Sequence, residues 1–115
     1  MRVSFTARHF KPTDRLKEFA TTEVSRLKKY YDDILDVEII LDYVKQEQFA
    51  EIVVKVYGQR LTVEEQSEDM FKSINVAVTK LERKLVKYKE KMRHFDKERI
   101  AENIEIESET EPEID

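Results

Sequence analysis

Residues 36–66 read DVEIILDYVKQEQFAEIVVKVYGQRLTVEEQ. Apolar and polar side chains alternate there in three runs, the two-residue period of strands with one face buried. Over 36–44, Val37, Ile39, Leu41 and Tyr43 share a face. Over 49–57, Ala50, Ile52, Val54 and Val56 lie opposite Phe49, Glu51, Val53, Lys55 and Tyr57. Over 60–66, Leu61 and Val63 form the inward pair. Gly58-Gln59, with the chain's single glycine first, predicts a two-residue type II′ hairpin turn.

The flanks of this segment switch period. Upstream, RVSFTA (2–7) alternates as another strand, with Val3, Phe5 and Ala7 on one side. Pro12-Thr13-Asp14 then opens a helix over about 13–31, with Thr13 as N-cap and Asp14 meeting the helix dipole. Its apolar stripe is Leu16, Phe19, Ala20, Val24, Leu27 and Tyr31. Downstream, Ser67-Glu68-Asp69 caps a second helix, whose stripe of Met70, Ile74, Ala77, Val78, Leu81, Leu85, Tyr88 and Met92 keeps a 3–4 spacing. The periodicity ends after His94-Phe95.

The order strand, helix, three strands, helix defines an α+β class, β-α-β-β-β-α. Its compact solution is a four-stranded mixed sheet with two helices on one face and a first strand parallel to its neighbour. The other sheet face is mostly polar and suited to water. The expected organisation is one domain over 1–95 and an acidic tail over 96–115, with disorder the default for such a composition.

Composition removes most chemistry. One Gly in 115 residues eliminates Gly-rich phosphate loops and dinucleotide fingerprints, and no Cys eliminates thiol catalysis and disulfides. His9 and His94 are isolated, and the acidic turns lack the spacing of a dedicated cation loop. No catalytic residue, metal site, cofactor or small-molecule substrate is expected. The N-terminus lacks a long apolar run, so no signal peptide or membrane anchor is expected, and a cytoplasmic location fits.

The net charge of −4 hides an asymmetry. Residues 96–115 hold nine acids and two bases, a balance of −7, leaving +3 on residues 1–95. The basic surplus gathers in the second helix, where Lys80, Arg83, Lys84, Lys87 and Lys91 fall within one stripe about 100° wide. A charge run is usually a solvated face. Here glutamates at i±4 are scarce, so same-sign repulsion calls for an anion, and phosphate is the natural one. Arg26, Lys28 and Lys29 close the first helix, where cations also complement the helix dipole. With the helices side by side, both clusters are expected to border one groove. The sheet lacks the aromatic string of an RNA-recognition fold, so any RNA contact is expected on the helix side.

Residues 67–91, SEDMFKSINVAVTKLERKLVKYKEK, resemble the second-helix signature of the ribosome hibernation promoting factors, also called ribosome-associated inhibitor or short sigma-54 modulation proteins. The agreement runs through Asp69-Met70-aromatic, Ile74, Lys80-Leu81-x-Arg83-x-Leu85 and Lys87-x-Lys89-x-Lys91. It continues at Thr13-Asp14-x-Leu16, at Arg26-Leu27 with Tyr30, and at Gly58. The resemblance covers about residues 1–95. It implies a domain similar to double-stranded-RNA-binding domains, bound to the small ribosomal subunit and its rRNA in the decoding region. There it blocks tRNA and mRNA during stress or stationary phase. Carried over by position, Lys80, Arg83, Lys87, Lys89 and Lys91 face rRNA phosphates, with Lys84 joining them and Arg26 and Lys29 contributing from the first helix. Glu23 stands where many relatives carry a base, and Ala7 where glycine is frequent. The dimerising second domain of long relatives has no counterpart in these residues, so direct dimerisation of ribosomes by this chain is not expected; off the ribosome a monomer is.

Two rivals remain at the level of sequence. Outward Phe49, Val53 and Tyr57 suit a protein-interaction module acting on transcription machinery. A general RNA-binding protein would hold free duplex RNA as tightly as ribosomes. The acidic tail is either a solubilising appendage or a competitor that folds back on the basic stripe.

Overall fold

Alternation over residues 36–66 is realised as three consecutive antiparallel strands, and the computed structural model describes the chain through residue 101, with side-chain surroundings through 93. The strands are β1 (Arg2–Arg8), β2 (Asp36–Val44), β3 (Glu47–Val56) and β4 (Gln59–Ser67). They form one sheet in the order β1-β2-β3-β4, with β1 parallel to β2 and the other pairs antiparallel. Helix α1 (Asp14–Ser25) makes the crossover from β1 to β2, and α2 (Met70–Ala101) follows β4. This is the expected α+β arrangement of a four-stranded mixed sheet and two helices.

The core lies between the sheet and the helices. Val37, Ile39, Leu41, Ala50, Ile52, Val54, Leu61 and Val63 meet Leu16, Ala20, Val24, Leu27, Ile74, Ala77, Leu81 and Leu85, all buried. Every inward position assigned from the alternation of β3 and β4 is buried. Tyr43, near the end of β2, is exposed instead, with its ring edge-on to Phe10 at 6.4 Å.

The helix starts follow from their caps. The Leu16 N–H donates to the Thr13 hydroxyl at 3.1 Å, and the Phe71 N–H donates to the Asp69 carboxylate at 3.0 Å. Buried Ser73 donates to the Gln48 carbonyl at 2.8 Å and bonds Ser67 at 2.7 Å, fastening the start of α2 to β3 and β4.

Three boundaries differ from the sequence reading. The first helix tightens to a 3₁₀ turn over Arg26–Lys29. Before it lie Thr21, Thr22 and Ser25, weak helix formers whose hydroxyls at 21 and 25 bond back to carbonyls. The second helix continues past His94-Phe95 to Ala101, because Lys, Glu, Arg and Ala sustain a helix by propensity after its apolar stripe has ended. The β3–β4 turn is centred on Tyr57-Gly58, with Val56 opposite Gln59 and Gly58 at φ +78° in the second central position. That is the type II pattern, not type II′. The positive first position belongs instead to the β2–β3 turn, where Lys45 has φ +59°.

The tail beyond residue 101, and with it the expectation of disorder there, lies outside the described residues. Among the described residues no helix is long and apolar enough to cross a membrane, and no His, Cys, Asp and Glu side chains gather as a metal-holding group.

Candidate nucleic-acid interface

Helix α2 has two flanks beside its buried stripe, and three polar contacts identify them. Asn75 donates to Glu23 at 3.2 Å and Glu82 accepts from Arg26 at 2.6 Å, so that flank faces α1. Lys80 reaches Glu65 of β4 at 2.6 Å, so the other faces the sheet edge. At 100° per residue, Arg83, Lys84, Lys87 and Lys91 fall within about 60° of Lys80. The five cations therefore form one ridge on the β4 side of the helix. Lys89 is turned about 180° from Lys80, toward the α1 side.

The ridge projects outward. Lys80, Arg83 and Lys87 are exposed, while Lys84 and Lys91 are half-buried, their stems lying along the apolar surface. Among the described residues Lys80 alone of the five has a carboxylate partner. Ridge rigidity comes from Leu81, Leu85 and Tyr88 beneath it, all buried. A helix so anchored fixes the backbone positions of its cations, so docking an anion has to order side chains but not backbone.

The first-helix cluster sits elsewhere. Arg26 lies between two carboxylates, Glu23 on its own helix and Glu82 on α2, with all three side chains at least two-thirds buried. Burial opposes its charge, but the hydrogen bonds and charges of Glu82 and Glu23 outweigh that, and its pKa lies above the ordinary guanidinium value. Arg26 thus cross-links the two helices. Lys28 and Lys29 are exposed in the 3₁₀ turn. The single groove bordered by both clusters is not formed, because Arg26 meets the flank of α2 opposite the ridge.

Sequence reasoning found the ridge but not which neighbour it faces, nor the role of Arg26. Glu82 is 56 positions from Arg26, and no local pattern links them. It also passed over Ile34, buried in the link between α1 and β2.

Residues 3–93 match the family described as Sigma 54 modulation protein / S30EA ribosomal protein. The ribosome hibernation promoting factor of Azotobacter vinelandii is 32% identical over 91 residues, covering 79% of this chain and 85% of that protein. That of Escherichia coli K12 is 28% identical over 93 residues, covering 81% and 98%. Among solved structures, a ribosomal subunit interface protein from Coxiella burnetii superimposes with a TM-score of 0.75 at 27% identity, covering 79% of this chain and all of that one. The Thermus thermophilus Protein Y N-terminal domain gives 0.72 at 27% identity, covering 76% and 99%. All the ridge residues fall within the matched segment.

Proposed function

The chain belongs to the Sigma 54 modulation protein / S30EA ribosomal protein family, and from that premise we propose that it is a cytoplasmic ribosome hibernation factor. It binds the small subunit at the decoding region through rRNA and excludes tRNA and mRNA. The observation that carries this reading is the ridge of Lys80, Arg83, Lys84, Lys87 and Lys91 on one flank of a well-anchored helix. The names of its relatives, which are hibernation promoting factors and a subunit interface protein, support the ribosome as the target.

The mechanism is occupation without turnover. Folded rRNA already holds its phosphates at fixed separations, and the ridge offers cations at the 3–4-residue spacing of one helix face. Docking releases the counterions of those phosphates, which supplies the affinity. The bulk of residues 1–95 then fills space that tRNA and mRNA would use. Lys89 and Lys29 add cations on the α1 side of the same body. Arg26 joins an RNA contact only by giving up a bond to Glu23 or Glu82.

Displacement of tRNA tests this reading. Labelled tRNA held on mRNA-programmed small subunits is titrated with the chain at low salt, and retention on a filter is followed. Loss of tRNA at one chain per subunit is expected. Full tRNA retention at saturating chain would contradict occupation of the decoding region.

A further inference from the structure

A second group of cations lies outside the helix ridge, on the open face of the sheet. Strand register places Arg2, Asp36, Lys55 and Arg60 in one row across β1 to β4 on that face. The row borders a cleft of about 390 Å3 at the end of the sheet nearest the β3–β4 turn. Arg2 is answered by Asp36 at 2.9 Å, while among the described residues Lys55 and Arg60 have no ion-pair partner. Glu38 is the other acid lining the cleft, which therefore keeps one net positive charge. Beside it, Tyr57 at the turn is 80% exposed. Toward the far end of the same face Glu51 and Glu64 lie opposite each other, so the positive field is confined to the turn end.

This end of the sheet is tied to the ridge. The Tyr88 hydroxyl of α2 donates to the Tyr57 carbonyl at 2.9 Å. Lys84 and Lys91 stand one turn before and after Tyr88, on the β4 side. Between ridge and cleft runs the start of β4, Gln59-Arg60-Leu61-Thr62, which contains no acid. Positive charge therefore passes from the helix layer, around the β4 edge, to the open face.

We propose that the β3–β4 turn and the adjoining sheet end form a second RNA-binding surface, in which Lys55 and Arg60 hold backbone phosphates and Tyr57 stacks on an unpaired base. It takes single-stranded RNA, continuing around the edge from the RNA held on the ridge, and it rests on the ribosome reading above. Paired cations with an exposed ring beside them match the chemistry of single strands, which present both a charged backbone and open base faces. Duplex RNA would leave Tyr57 without a base to stack on.

The test is binding to purified ribosomes across a salt series, using the intact chain, Lys55→Ala/Arg60→Ala, Tyr57→Ala and an all-Ala ridge variant. The double variant is expected to flatten the log–log salt slope by about 1.4, at about 0.7 per single-strand phosphate. Tyr57→Ala is expected to weaken binding about ten-fold at every salt concentration while leaving the slope alone. Thermal unfolding of both should match the intact chain, because all three side chains are exposed. Since the chain has no Cys, Tyr57→Cys provides a single thiol for an aryl-azide probe. Its photoproduct with ribosomes should collapse on ribonuclease treatment. Unchanged affinity and slope in the turn variants, beside lost binding in the ridge variant, would overturn this surface and leave the ribosome reading standing. A photoproduct with a ribosomal protein would overturn it too. Failure of the intact chain to bind at low salt would remove both.

Discussion

Tyr88 shows how much a single side chain decides. Its ring is buried against the edge of Tyr31, at 5.3 Å between centroids, and its hydroxyl donates to Tyr57. Burial pushes its pKa up to about 12. An unfolded tyrosine ionises near 10, so the folded state keeps a proton that the unfolded chain loses. Stability from this group is complete below about pH 10 and falls as pH rises toward 12, by roughly 2–3 kcal/mol. Between pH 9 and 11.5 the urea midpoint of Tyr88→Phe should fall less than that of the intact chain; equal falls would contradict this. The two turns make an opposite pair. A Cβ at Gly58 would meet nothing within 4 Å, yet φ is +78°, so Gly58→Ala should cost about 1 kcal/mol through the backbone alone. Lys45→Gly should gain about 0.5 kcal/mol by relieving φ +59°. Thermal melts of the two variants should shift in opposite directions. The sequence pattern could not place the Gly58 turn. Centring it on 57–58 or on 58–59 keeps Val54, Val56 and Leu61 on the same face, so alternation is blind to the choice and only the backbone angle resolves it.

Among the elements, α1 and α2 are joined by more than apolar packing. Phe19 and Phe71 meet edge-on at 4.9 Å at one end of the contact, and Arg26 bridges Glu23 and Glu82 further along. Arg26→Ala would leave two mostly buried carboxylates facing each other without their cation, and should cost roughly 1–3 kcal/mol. The double variant Arg26→Ala/Glu82→Ala should cost less than the sum of its single variants, measured by urea unfolding as a double-mutant cycle. Additive costs would mean that the pair does not interact. The starts and apolar faces of both helices were legible, since Thr13, Asp69 and the 3–4 spacing of apolar residues are local signals. Contacts between elements were not. That the ridge of α2 faces β4 depends on Lys80 meeting Glu65, 15 positions away, and on Glu82 meeting Arg26. Periodicity sets which residues share a flank, but packing alone sets what that flank looks at.

For the whole molecule, the order of elements and the inward sets followed from residues 36–66 and their flanks, because each strand had one apolar face to hide. Charge placement followed less well. The sequence reading put RNA contact on the helix side and left the outward Phe49, Val53 and Tyr57 of the sheet to a rival protein-interaction reading. Alternation already put Arg2, Lys55 and Tyr57 on the outer face, but only the register aligns Arg2, about fifty positions away, in one row with Lys55 and Arg60. The proposed ribosome binding has its seat on the α2 ridge. Cosedimentation with purified ribosomes over a salt series tests it most directly, comparing the intact chain with one carrying Ala at Lys80, Arg83, Lys84, Lys87 and Lys91. The intact chain should pellet with the small subunit, and the ridge alone should contribute about −4 to −5 to the log–log salt slope. The variant should lose that contribution and fail to pellet at moderate salt. Equal pelleting of the two chains at every salt concentration would contradict the account.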